Sequence, residues 1–129
     1  MAAPTDAPRA PAGLPLPAAI DARVLKKLAD DVGGEENLRE LIASFMDEAP
    51  ALLRSLRACF DQQDLKGVER AAHTLKSLSA SFGAMGLSQT CRGIEDLARK
   101  GTLTPQAAVA EAEAGFAQVE GALARYPNV

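Results

Sequence analysis

Tryptophan is absent from this chain, and aromatic residues make up only 4% of it. Alanine and leucine dominate instead, a composition that suits packed helices. Alternating β-branched runs are also missing, so no strand is expected. Cysteine is scarce: Cys59 and Cys91 are far apart and both lie in helical patterns. They read as buried thiols of a reducing compartment, not as a disulfide or a metal pair. With one histidine and no Cys-x-x-Cys spacing, the residues argue against a zinc site, and no metal ligand is assigned. No stretch approaches the roughly 18 apolar residues that a membrane span needs. The start of the chain has no charged segment followed by an apolar one, so it does not read as a signal peptide, and the expected location is the cytoplasm. A net charge of −3 offers no broad basic surface for nucleic acid. No internal repeat, phosphate-binding loop or glycine-rich dinucleotide fingerprint occurs.

What remains fits one small helical domain. A length of 129 residues bounds the chain to a single core. Residues 1–19 hold five of the eight prolines, spaced by Ala and Gly, and read as a flexible tail or linker. Residues 20–129 form the expected domain, with five helical stretches. Asp21 caps the first, which runs to about residue 31 with Val24, Leu25 and Leu28 inward, and Gly33-Gly34 ends it. The second spans about 35–62, and Pro50 inside its stripe is expected to kink or split it. The third starts near Asp64 and ends around 82–86. The fourth covers about 87–100 with Leu87, Cys91, Ile94 and Leu97 or Ala98 inward, and Gly101 closes it. The last follows Thr104-Pro105, read as an N-cap and a first-turn proline. Short connections between such stripes predict an all-α, antiparallel up-down four-helix bundle made by helices two to five. The short first helix covers one end.

The single histidine, His73, lies in the third stretch and off its apolar stripe. Leu65, Val68, Ala72, Leu75, Ser79 and Phe82 mark the buried face. At about 100° per residue, His73 points roughly 130° away from the centre of that stripe. Ser77, Ala80 and Ala84 share its side, and Lys76 sits one turn along. An outward imidazole with a cation beside it and only small side chains ahead suits a nucleophile that another protein must approach. A solvated surface histidine and small residues packing against a neighbouring helix are the plainer readings of the same pattern.

The run Ala72-His73-Thr74-Leu75-Lys76-Ser77, followed by Ser79, Gly83 and Ala84, resembles the signature of histidine-containing phosphotransfer (HPt) domains. Upstream, Phe45-Met46-Asp47-Glu48-Ala49-Pro50 and Leu52-Leu53 resemble that family's second helix. Downstream, Leu87, Cys91, Ile94-Glu95 and Arg99-Lys100-Gly101 resemble its fourth. The likeness covers about residues 20–125. One departure is Ser77, where the family most often has Gly; Ser is still small, and its hydroxyl can reach a phosphoryl group. Glu95 and Arg99 are read as a solvated i,i+4 pair, and Asp47 and Glu48 as a solvated face, so none is assigned to the site.

The resemblance implies a phosphoryl carrier. Neutral imidazole, with a reference pKa of about 6.5, is a competent nucleophile near pH 7. His73 would accept the phosphoryl group of an aspartyl phosphate on its outer nitrogen and pass it to another aspartate. Lys76 and Ser77 would stabilise the phosphoryl oxygens. Ala72, Ser77, Ala80, Gly83 and Ala84 would form the docking surface. The implied partners are response-regulator receiver domains and a hybrid sensor histidine kinase. The receiver supplies Mg²⁺, so the chain needs no cofactor of its own, and family relatives are usually monomers. A histidine kinase is not the expectation, because the chain lacks a nucleotide-binding domain and glycine-rich motifs. The competing reading is a docking module of the same fold that blocks a receiver or kinase without transferring anything.

Overall fold

This computed structural model describes residues 19–126. Five helices follow one another: α1 (Ala22–Asp31), α2 (Glu35–Asp61), α3 (Leu65–Ser81), α4 (Met85–Arg99) and α5 (Gln106–Ala124). No strand occurs among the described residues. The starts of α1 and α3 are set by capping aspartates. Asp21 accepts from the Arg23 amide, and Asp64 accepts from the Gly67 amide at 3.0 Å. Each satisfies a donor that has no partner within its helix.

Three-residue turns join α2 to α3 and α3 to α4, so neighbouring helices run antiparallel. Helices α2, α3, α4 and α5 pack in a closed ring, each against the next, and α5 returns to α2. Helix α1 lies against α2 and α3. Its first residue is pinned where α3 ends, because the Asp21 amide donates to the Gly83 carbonyl at 2.8 Å. The all-α bundle with its extra N-terminal helix is therefore as expected.

Apolar residues at helical spacing fill the centre. Phe45 of α2 is fully buried, stacks on Phe82 at 4.7 Å between ring centroids, and meets Phe116 of α5 edge-on at 5.8 Å. These three rings join α2, the α3–α4 turn and α5. Leu75, Cys91, Ile94, Val109 and Val119 complete the interior from the other helices.

Several expectations change in detail. Helix α2 is not split at Pro50 but continues from Glu35 to Asp61. The missing amide of Pro50 costs one internal hydrogen bond, while Phe45, Ala49, Leu53 and Leu56 stay on one buried stripe across it. Leu41, whose spacing with Leu38, Ile42 and Phe45 places it on the inward stripe of the second helix, is exposed, and in α1 the buried residues are Leu25 and Ala29. Helix α4 starts two residues early, at Met85. Pro105, not Thr104, takes the N-cap place of α5, and Thr104 is buried instead. The expected tail at 1–19 falls almost wholly outside the described residues.

Candidate functional site

His73 projects from the outer face of α3 with 58% of its side chain exposed. The stripe explains this: Val68, Ala72, Leu75 and Ser79 turn inward and occupy the packed side of the helix. Helix α4, the neighbour of α3, brings Glu95 underneath. Glu95 is only 1% exposed, and its Oε2 lies 2.7 Å from His73 Nδ1. Lys76 Nζ lies 2.7 Å from the other oxygen, Oε1. Arg99, one turn beyond Glu95, donates to Oε2 as well, and its Nε reaches Glu69 Oε2 at 3.4 Å.

The charge state of this cluster follows from its partners. Burial alone opposes a charge on Glu95, but Lys76 and His73 outweigh it and hold the carboxyl below its usual range. Arg99 is pushed up, first by its hydrogen bond to Glu69 and then by the charge of Glu95. An ionised Glu95 can only accept, so the proton on His73 belongs on Nδ1. The other nitrogen, Nε2, then carries the free lone pair on the exposed side of the ring. The α4 carboxylate thus selects the tautomer and fixes the ring plane.

The backbone around His73 is also tied down. Ser88 of α4 donates to the Lys76 carbonyl at 2.9 Å, which locks α3 to α4 beside the imidazole. A cleft of about 520 Å³ opens next to the ring, between Lys66 and Arg70 on α3 and Glu95 and Arg99 on α4. Among the described residues, no group of three or more His, Cys, Asp or Glu side chains could hold a metal ion. No described helix is long and apolar enough to cross a membrane.

The expected site residues are only partly brought together. Lys76 is half-buried and joined to Glu95, Ser77 is exposed one turn after His73, and Ala80 is half-buried. Ala72 and Ala84 are fully buried, and Gly83 is buried in the α3–α4 turn, so these three are corrected from docking surface to packing. Ala72 belongs to the apolar stripe. Helix α3 ends at Ser81, so Ala84 no longer follows its face and instead starts α4. Glu95 is corrected in the opposite direction, while Arg99 is exposed and does form the expected i,i+4 pair with it. The i,i+4 spacing made them a solvated pair, but Glu95 is buried against α3. The signal was present: Ser88, Cys91, Glu95 and Ala98 repeat at helical spacing, which puts the carboxylate on the buried side of α4.

A histidine with 58% of its side chain exposed, held by one helix pair of a four-helix bundle, defines a class of single-histidine bundle modules. The chain belongs to the Hpt domain family, whose model matches residues 40–127. Members of that family are histidine phosphotransfer modules of two-component signalling and carry phosphoryl groups instead of acting as kinases. The structure is similar to the crystal structure of histidine-containing phosphotransfer protein B from Pseudomonas aeruginosa PAO1, with 30% sequence identity and a TM-score of 0.78. That likeness covers 83% of this chain and 92% of the other. No curated protein matches the chain.

Proposed function

We propose that this chain carries a phosphoryl group on Nε2 of His73, taking it from an aspartyl phosphate of one receiver domain and giving it to the aspartate of another. The observation that carries the reading is the 2.7 Å contact between His73 Nδ1 and the buried Glu95 carboxylate. The Nε2 lone pair attacks phosphorus, the P–N bond forms, and the P–O bond to the aspartyl carboxylate breaks. The aspartate leaves as a carboxylate, and no proton has to move. The proton on Nδ1 stays there and the ring becomes cationic, beside the carboxylate that already accepts its hydrogen bond. Charge develops where a fixed opposite charge waits, which is how such sites lower a barrier.

Lys76 supplies the second element. Its ammonium has three donors and engages Glu95 with one edge, leaving others for the phosphoryl oxygens. Ser77, exposed one turn after His73, supports a further hydrogen bond to the same group and, with Ala80, a low surface for the receiver. Alignment and charge neutralisation dominate phosphoryl transfer, and these residues provide both. The receiver would bring Mg²⁺ with its own aspartate. A hybrid sensor histidine kinase fits upstream, and the chain acts as a monomer in the cytoplasm.

The test is transfer from a phosphorylated receiver in the presence of Mg²⁺, with wild type and His73→Gln side by side. Acid-labile, alkali-stable label on wild type alone is the expected result. Binding without label, across several receivers, would replace the carrier by a docking inhibitor. Label persisting in His73→Gln would put the chemistry elsewhere.

A further inference from the structure

The cleft beside His73 has an uneven charge. Lys66, Arg70 and Arg99 line it together with Glu69 and Glu95. Both carboxylates are already engaged: Glu69 by Arg99, and Glu95 by Arg99, Lys76 and His73. Counting Lys76 and Asp96, which pair with residues of the cleft, four cations stand against three carboxylates, a local surplus of one positive charge on a chain whose net charge is −3. Arg99 is held among three acids, Glu69, Glu95 and Asp96, and Lys76 is bound to Glu95, so the uncommitted cations are Lys66 and Arg70.

These two uncommitted cations lie on one side of the imidazole. Lys66 and Arg70 sit seven and three residues before His73, on the same exposed face of α3. After it, the exposed residues Thr74, Ser77 and Ser81 carry no charge. Thr74 and Ser81 turn their hydroxyls back onto the Arg70 and Ser77 carbonyls. A partner lying across His73 therefore meets two uncommitted cations at one end and, at the other, only Lys76, whose charge is paired with Glu95.

Resting on the phosphotransfer reading above, we propose that Lys66 and Arg70 are an electrostatic anchor for an acidic segment of the receiver beside its phosphorylated aspartate. The anchor fixes which way round the receiver lies along α3. Exposed rim charges act mainly on encounter and orientation, over roughly a Debye length of about 8 Å at physiological salt. Their work is thus separable from that of Glu95 and Lys76, which touch the reacting ring.

The experiment compares the full wild-type chain with Lys66→Glu/Arg70→Glu, using two phosphoryl donors. One is a receiver domain phosphorylated on its aspartate; the other is phosphoramidate, which has no docking surface. The double variant should lose roughly tenfold in kcat/KM with the receiver at low salt. The gap should close as ionic strength rises, while kcat and the phosphoramidate rate stay at wild-type values. Melting curves check that both proteins are folded. An unchanged kcat/KM with the receiver would overturn the anchor. An equal loss with phosphoramidate would also overturn it, because the cations would then act on the phosphoryl group itself. Wild type labelled by phosphoramidate but by no receiver would remove the partner, and with it the anchor. Wild type labelled by neither donor would bring down the carrier reading first.

Discussion

At the scale of single residues, the proposed site is an imidazole set on a buried carboxylate. Glu95→Gln keeps the shape and can still accept from Nδ1–H, but it removes the charge that faces the cationic ring after transfer. A hydrogen bond to a charged group is about twice as strong as a neutral one, and losing ~1.4 kcal/mol costs a factor of about ten in rate. Single-turnover transfer from a phosphorylated receiver should therefore slow about tenfold in Glu95→Gln, with the label still on His73. An unchanged rate would mean that Glu95 only positions the ring. His73 and Lys76 were legible in the sequence because each is one step from a periodic stripe on its own helix. The burial of Glu95 was readable from the α4 stripe, but its place beneath His73 was not, because that depends on which face of α4 meets α3. An i,i+4 partner at Arg99 gave it a complete local explanation that the tertiary contact overrides.

At the scale of elements, turns decide where the helices stop and what the stops touch. Gly83 has φ of +80°, and a Cβ there would come within 2.7 Å of the Asp21 carbonyl oxygen. The same residue accepts the Asp21 amide and so joins the α3–α4 turn to the start of α1. Gly83→Ala should destabilise the fold by about 1–3 kcal/mol, the cost of a left-handed non-glycine residue, before the clash is counted. For a domain of this size that lowers the melting midpoint by at least about 4 °C, which calorimetry would detect. Phosphoryl uptake by the folded fraction should be unaffected, since Gly83 is buried in the turn and away from the partner's side. Loss of receiver binding without loss of stability would restore it to the docking surface. The helix count, the Asp21 and Asp64 starts and most inward residues were readable from period and capping chemistry. The α3–α4 boundary was less so, because the glycines at 83 and 86 offer two stopping places. Only the packing against Asp21 selects the first.

At the scale of the whole molecule, ion pairs tie the ring of helices together. Arg57 of α2 grips Glu113 of α5 with two hydrogen bonds, at 2.7 and 3.1 Å. That bond is the main reason Glu113 is held below the ordinary carboxylate range. Tyr126 donates to Glu35 and lies under Arg39, which fastens the end of α5 to the start of α2. Glu95 does the same between α3 and α4. A carboxyl whose folded pKa is depressed contributes stability above its unfolded value, here near 4.5, and loses it as pH falls through the folded value. Urea midpoints of wild type should thus fall as pH drops below about 5 and on through the depressed folded values. Glu95→Gln/Glu113→Gln should start lower and show a shallower fall across the same window. Parallel curves would show that neither carboxyl is linked to folding. Glu113 is partly exposed, so solvent screens its share, and Glu95 should account for most of the difference.

By itself, the sequence determined the all-helical bundle, the outward histidine and the neighbouring lysine. Each of these depends on spacing along one helix, and period, capping residues and breakers are local properties. Only the tertiary structure decided that Glu95 lies beneath His73, and that Ala72, Gly83 and Ala84 are inside. Those facts depend on how α4 and α1 are rotated against α3. That rotation is settled by the joint packing of Phe45, Phe82 and Phe116 with the aliphatic stripes. No single helix carries the information, because burial of one face is defined only by the partner that covers it.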